Sequence, residues 1–437
     1  VELNILANPN EQMRLIDLPW DVPLEDWPAS YLVALPRGIS RHVVRFARIG
    51  STVYAVKEIN ESFATREYRL LRDLERIDFP SVEPVGVVTG RQTHEGQPLD
   101  SILITRHLTW SLPYRAVFSG HLRPDTVDRL VDALVVLLGR LHLIGFVWGD
   151  CSLSNTLFRR DAGAFAAYLV DAETGELHPE LSDGQRLHDI ETAHVNIAGE
   201  LMDLQAGGLL DDNIDPIELA GELPGRYEHL WFELTGVEEF TLGERWRVAQ
   251  RIGRLNALGF DVDELNILTD IGGRSVRIQP KVVDAGHHSR RLMRLTGIDA
   301  EENQARRALN DLDAYRVATN RQAESEQVVA HEWLHEVFQP VVDAIPRDMR
   351  GRLEPLEVFH EVLEHRWYAS EQRGEQVPLD EAVESYFAEV LAHKPEEVTV
   401  LGSAVRPGEP VTVEDELEAT QPFRLPWAEM DQDPPPQ

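Results

Sequence analysis

The sequence predicts an α+β protein in which a sheet-rich lobe, a helical lobe and a mostly α-helical C-terminal domain follow one another. Three observations carry that reading. Residues 31–105 hold short β-rich runs separated by turn residues, with one helix among them. A 3.6-residue apolar repeat runs from Asp125 to Leu143. From about Asp212 to His393, amphipathic helical patterns separated by turns dominate.

In chain order, residues 1–30 carry Pro9, Pro19, Pro23 and Pro28 with two exposed-looking tryptophans, Trp20 and Trp27, and read as an N-terminal arm. Tyr31–Leu35, Arg41–Ile49 and Thr52–Ile59 read as three antiparallel strands, broken at Pro36-Arg37-Gly38 and Gly50-Ser51. Ser62–Ile77 reads as a helix, with Phe63, Tyr68, Leu70, Leu71 and Leu74 forming its apolar stripe. Ser81–Thr89 and Ser101–Thr105 close the first lobe as strands.

Residues 106–211 form the second lobe. Pro124 sits at a favourable start for its main helix. The apolar run Phe146-Val147-Trp148 leads into a loop at Gly149-Asp150, and the strand Ala166–Val170 stops at Asp171. Residues 212–395 read as the helical domain, with Ser275–Ile278 its one β-like interruption. The tail 396–437 is acidic and Pro-rich and lacks the apolar content to fold alone.

Composition narrows the function. The 437 residues contain 42 Lys+Arg against 75 Asp+Glu, a net charge of −33. Such a chain repels phosphate backbones and anionic bilayers, so neither nucleic acid nor membrane surface is expected as a general partner. A single cysteine, Cys151, excludes an intramolecular disulfide and a Cys-rich zinc site. The longest apolar run, near Leu134–Leu138, falls far short of the roughly 18–20 residues of a membrane span. No membrane insertion is expected, and the cytoplasm is the expected location. Lysine survives only at Lys57, Lys281 and Lys394 in an otherwise Arg-based chain. A retained Lys stands either where a compact ammonium differs in effect from a guanidinium or where chance left it.

Four features follow in a fixed order: the turn Arg37-Gly38-Ile39-Ser40, the strand Val53-Tyr54-Ala55-Val56-Lys57, Glu67 on the next helix, and Gly149-Asp150-Cys151-Ser152-Leu153-Ser154-Asn155 with Leu169-Val170-Asp171 behind it. Phosphoryl transfer needs these residue types. A Lys contacts nucleotide phosphates and is itself held by a carboxylate, an Asp accepts the proton of the attacking hydroxyl, and an Asn and a second Asp hold Mg²⁺. Each feature alone is a weak signal. Their order, on elements of the right kind, is what gives them weight.

With Tyr54-Ala55-Val56-Lys57 and the Asp-x4-Asn loop Asp150–Asn155, residues 31–205 resemble the protein-kinase-like superfamily. The Gly-Asp opening of the loop is nearer in style to lipopolysaccharide-sugar and small-molecule kinases. The whole chain also resembles an uncharacterised actinobacterial family with a kinase-like front half, a helical back half and no assigned activity. The resemblance implies a two-lobed protein-kinase-like fold that uses ATP and Mg²⁺. It implies that Asp150 is the catalytic base and that Lys57 contacts the α/β-phosphates, paired with Glu67 or with another acid of the same helix such as Glu75. It further implies that Gly38 covers the phosphates, that Asn155 and Asp171 bind Mg²⁺, and that Ile104, Arg106 and Leu108 belong to a hinge beside the adenine. The chain departs from the protein-kinase pattern at the single glycine of the phosphate loop, at Trp148-Gly149 before the base, and at Asp171-Ala172-Glu173.

The expected activity is therefore an ATP- and Mg²⁺-dependent transfer of phosphate to a hydroxyl of a small molecule, sugar or glycolipid head group. The alternative is a nucleotide-binding pseudokinase whose helical half engages a protein partner. Nucleotidyl transfer onto protein is a third reading. His331-Glu332-Trp333-Leu334-His335 matches the zinc-hydrolase pattern His-Glu-x-x-His, but both His flank the apolar stripe of a helix and no third ligand stands out beyond a guess at Glu357 or Glu361. The basic run His287, His288, Arg290, Arg291 and Arg294 reads first as a helix face paired with nearby acids, and second as an anion site.

Overall fold

The computed structural model describes residues 3–33, 42–50, 52–118, 124–208, 210, 214–236, 238–241, 245–257, 260–269 and 275–394. Gly38 with its turn, and the acidic tail 396–437, lie outside the described residues.

The first lobe comprises β1 (Asn4–Ala7), α1 (Pro9–Leu15), β2 (Leu32–Val33), β3 (Val43–Ile49), β4 (Thr52–Ile59), α2 (Glu61–Arg76), β5 (Pro84–Thr89) and β6 (Ser101–Arg106). The strands form a six-stranded sheet in the order β1-β5-β6-β4-β3-β2, antiparallel throughout. Alternation along β4 puts Tyr54, Val56 and Glu58 on one face and Ala55, Lys57 and Ile59 on the other.

The N-terminal arm covers the first face. Tyr54, Val56, Ile102 and Ile104 pack there with Trp20 and Trp27. This corrects the expectation of exposed tryptophans: each is 4% exposed, and their indole N–H groups donate to the Leu15 and Val22 carbonyls. The prolines around them mark turns, and turn signals say nothing about burial. Arg91 locks the arm down. Its fully buried guanidinium donates to Glu58 Oε1 (2.5 Å) and to the carbonyls of Trp20, Val22 and Asp100.

The second face takes α2. Asn60 caps the helix by accepting from Ser62 N–H. Its buried stripe is Ala64, Glu67, Tyr68, Leu71 and Leu74. A carboxylate on a buried stripe requires a partner, and the Lys57 face of β4 supplies one.

The second lobe contains β7 (Leu112–Pro113), α3 (Tyr114–Phe118), α4 (Pro124–Leu143), β8 (Phe146–Val147), β9 (Thr156–Asp161), β10 (Ala164–Leu169), β11 (Glu176–Leu177) and α5 (Asp183–Ala206). Then come α6 (Pro216–Thr235), β12 (Glu238–Thr241), α7 (Arg245–Ala257), β13 (Phe260–Thr269) and β14 (Ser275–Ala285). The last part holds α8 (His287–Thr296), α9 (Glu302–Ala318), α10 (Glu326–Trp333), α11 (Gln339–Ala344), α12 (Pro355–Arg373) and α13 (Leu379–Glu389). The chain is thus a mixed α+β protein, sheet-rich at its front and mostly helical behind.

Two details differ from the sequence expectation. Leu219, Leu223, Leu230, Leu255 and Phe260 share one apolar core with α4 and α5, so packing does not change hands at residue 211. A separate core, centred on Trp333, Phe338 and Phe359, begins only with α8. In addition, β12, β14 and β13 form a three-stranded sheet where the sequence offers only Ser275–Ile278 as β-like. The irregular register between Val262 and Glu264 breaks the apolar period in β13, and Pro280 argues against a strand in β14.

His107 lies in the connection between the lobes, edge-to-face on Phe46 with ring centroids 5.5 Å apart. Burial lowers its pKa to about 4. The folded value lies below the ordinary one, so the unfolded chain binds the proton more readily. The stability that His107 contributes is complete above about pH 6.5 and is lost as pH falls toward 4, up to about 3 kcal/mol. Unfolding free energy measured from pH 7 to pH 4 should therefore fall less steeply in His107→Phe than in the wild type.

Candidate functional site

The site assembles where the two lobes meet. Lys57, near the end of β4, donates to Asp171 Oδ2 at 2.7 Å, Glu67 Oε2 at 3.1 Å and Glu173 Oε2 at 3.4 Å. Glu75, the alternative partner, sits on the exposed side of α2 and pairs with Arg72 at 3.3 Å. Glu67 also accepts from Ala172 N–H, and Glu173 lies 3.2 Å from His42 Nε2.

One ammonium thus faces three carboxylates. Burial pulls the Lys57 pKa down, but Glu67 and Asp171 outweigh it and the net direction is up. Burial, reinforced by the charge of Asp171, pushes Glu67 up to about 8. Burial also presses Asp171 upward, yet Lys57 and the Glu173 N–H hold it below the usual carboxylate range. Ligand atoms of Glu67, Asp171 and Glu173 all lie within 4.8 Å of one another, the one such group among the described residues.

Asp150 lies in a second-lobe loop without regular structure, so the loop's backbone groups need partners from elsewhere. One face of α5 supplies them. Asp189, fully buried, accepts from Trp148 N–H at 2.8 Å, Gly149 N–H at 2.7 Å and His142 Nε2 at 3.0 Å. Asn196 Nδ2 donates to Asp150 Oδ1 and to the Cys151 carbonyl, each at 3.1 Å. Glu200 accepts from Leu153 N–H at 2.6 Å and Ser154 N–H at 3.1 Å. Gly149 takes φ +76°, the left-handed region that a Cβ disfavours.

Asn155 Nδ2 donates to the Asp150 carbonyl at 2.9 Å and to Asp150 Oδ2 at 3.3 Å, which turns the Asn155 Oδ1 away from that carboxylate. Val170 N–H donates to the Asn155 carbonyl at 3.0 Å, bringing Asn155 beside the segment that carries Asp171. Trp148 ties the halves together: its indole N–H donates to the Asp171 carbonyl at 2.7 Å, and its own carbonyl accepts from Thr174 Oγ1.

Lys57, Glu67 and Asp171 are therefore in direct contact, and Asp150 and Asn155 are tied to the Asp171 segment through the Val170–Asn155 and Trp148–Asp171 hydrogen bonds. Ile104 packs into the core under the arm, and the Arg106 guanidinium pairs with Glu83 at 2.7 Å and Glu11 at 3.2 Å. Both side chains face the arm, away from Lys57, because they share a parity on β6. Leu108 is half-buried, its carbonyl accepting from Ser111 Oγ.

Sequence reasoning passed over Glu173, Asp189, Asn196 and Glu200. The last three had a signal in their helical spacing: polar residues that recur on the side of α5 also carrying Ala193 and Ile197.

The other chemical motifs are accounted for. His331 and His335 are exposed, their rings edge-to-face at 4.4 Å, and Glu332 is ion-paired with Arg321. No third ligand joins them among the described residues. In the basic run, Arg291 pairs with Glu326, and Glu302 accepts from His288 and Ser289 N–H. Burial, with Asp189 and other acids nearby, raises the Cys151 thiol well above its ordinary value, so it is no thiolate nucleophile.

Two family models match this chain, each over part of its length. Residues 42–198 match the lipopolysaccharide kinase (Kdo/WaaP) family. Residues 229–391 match a domain of unknown function, DUF4032. No curated protein matches. Among solved structures, WaaP in complex with acyl carrier protein is 17% identical, with a TM-score of 0.35, over 59% of this chain and 99% of that one. Among the described residues, no helix is long and apolar enough to cross a membrane.

Asp189 offers a direct check on the loop scaffold. Asp189→Ala strands three buried donors and should cost about 3–5 kcal/mol in thermal unfolding. Exposed Glu75→Ala should stay within about 0.5 kcal/mol of the wild type.

Proposed function

We propose that this chain is an ATP- and Mg²⁺-dependent phosphotransferase acting on a hydroxyl of a small molecule, sugar or glycolipid head group. The observation that carries the reading is the Lys57 ammonium bound to acids of both lobes, with Asp150 held by the amide groups of Asn155 and Asn196. The match of residues 42–198 to lipopolysaccharide kinases supports the same reaction class.

The donor set suits magnesium. Asp171, Glu173 and Asn155 Oδ1 offer hard oxygen ligands, and three carboxylates against one ammonium leave negative charge that burial penalises. Held by these residues, Mg²⁺ would supply positive charge against the charge that develops on the transferred phosphate. Lys57 would hold the nucleotide phosphates, with Glu67 fixing its position. Asp150 would orient the acceptor hydroxyl and take its proton. The amide donors Asn155 and Asn196, one on each carboxylate oxygen, hold the Asp150 carboxylate in place.

Thermal unfolding with and without Mg-ATP tests the nucleotide site. Ligand at about 100 times its dissociation constant should add about 2.7 kcal/mol. That gain should require Mg²⁺ and vanish in Asp171→Ala. No gain at millimolar Mg-ATP, in folded protein, overturns the reading. Asp150→Asn should keep the gain while lowering acceptor-dependent turnover by about 10²–10⁴-fold. The mass of the modified acceptor separates phosphate from nucleotide transfer, and nucleotide binding with no product from any acceptor would identify a pseudokinase.

A further inference from the structure

The hairpin of β9 and β10 begins at the residue after Asn155 and ends two residues before Asp171. It lies between the two apolar cores. Phe158, Ala167 and Leu169 face the core of the second lobe. Arg159, Asp161 and Tyr168, on the opposite face, meet the helices behind through a polar seam.

At the tip, Asp161 is 3% exposed and accepts from Gln304 N–H at 2.7 Å, Asn303 Nδ2 at 2.8 Å and Asn303 N–H at 3.1 Å. Ala162, at φ +50°, donates its N–H to Glu357 at 2.9 Å. Gln304 Nε2 joins that carboxylate at 3.0 Å. Midway, Arg159 bridges Glu301 at 2.9 Å and Glu354 at 2.7 Å. Nearer the base, Tyr168 donates to Glu301 at 2.5 Å.

We infer that the helical domain of residues 287–394 is a built-in brace for the hairpin flanked by Asn155 and Asp171, with Asp161 as its principal positioning residue. The naming of those two residues as metal holders rests on the function proposed above; the brace itself does not. A buried polar seam is costly to form and costly to break, so it admits one relative placement where an apolar contact would tolerate sliding. A hairpin is stiff along its strands, and its tip lies about 15–20 Å from its base. Fixing the tip and one face therefore fixes the spacing of Asn155 and Asp171. The matched domain of unknown function contains Glu301, Asn303, Gln304, Glu354 and Glu357. Through them it sets the geometry of the front domain's cleft.

Hydrogen exchange on the full chain decides the matter. In Asp161→Ala, the amides of Thr156 and Val170 at the hairpin base should exchange about tenfold faster, together with those of Asn303 and Gln304. Unchanged protection at the base, in protein whose α2 and α4 amides keep wild-type protection, overturns the brace whatever the chain does with nucleotide. In the wild type, Mg-ATP should slow exchange at Asn303 and Gln304, since coupling between sites is reciprocal. Asp161→Ala should raise the Mg²⁺ concentration for half-maximal ATP binding by about tenfold. A seam of structural value alone would lower the melting temperature and leave that concentration unchanged, which would overturn the positioning role. Should Asp161→Ala fail to fold, Tyr168→Phe, which removes one hydroxyl from Glu301, must show the same pattern more weakly, and its absence counts against the inference. A wild type that binds no Mg-ATP sinks the nucleotide reading, while exchange at the hairpin base still decides the brace.

Discussion

Everything in the cleft depends on a lysine that could not be buried alone. Lys57 sits at the middle of a sheet, 12% exposed, and its charge is tolerated because acids arrive from α2 and from the segment after β10. Each arrival constrains a larger element. The register of β4 must point residue 57 at α2 and not at the arm. The cap at Asn60 must start α2 so that Glu67 falls on its inner stripe. The second lobe must dock closely enough for Asp171 to come within 2.7 Å. Moving any of these leaves a buried charge unpaired, which costs more than most packing errors. The ion cluster is thus also what aligns the lobes.

The opposite wall of the cleft follows another logic. The loop from Trp148 to Asn155 has no ladder of its own, and α5 serves as its template. Acceptors on one helical face meet loop N–H groups in order, Asp189 for the start and Glu200 for the end, while Asn196 holds the carboxylate between them. A helix is rigid on the scale of such a loop, so the position of Asp150 is inherited from α5. The buried contact of His142 with both Asp189 and Tyr227 OH carries the same framework into α6.

Much of this was legible in the sequence because the chemistry sits on short, regular spacings. A rare Lys ending a strand, an acid on the apolar stripe of the next helix, an Asp-x4-Asn loop and an Asp closing a strand are all local patterns. What was not legible depends on contacts distant in sequence. Asn196 and Glu200 look like ordinary helix surface until the loop they hold is folded against them. Glu173 looks like a departure from the usual Asp-Phe-Gly triplet, and only the fold brings it to Lys57. The arm misled for a different reason: prolines report backbone turns, and Trp20 and Trp27 are buried by a sheet that no local pattern connects to them. His331 and His335 show the converse failure, since a motif matched in sequence gains no third ligand among the described residues.

The N-terminal arm carries a consequence for where this protein begins as a folding unit. The outermost strands on both sides of the six-stranded sheet, β1 and β2, come from residues 4–7 and 32–33, ahead of residue 42 where the kinase-family match starts. A fragment trimmed to the matched segment would bare the hydrogen-bonding rims of β5 and β3 together. It would also uncover the apolar face that Trp20 and Trp27 now occupy. Two open rims beside a greasy surface are the recipe for strands of separate molecules to join. The module that sequence comparison recognises is therefore smaller than the module that can stay in solution.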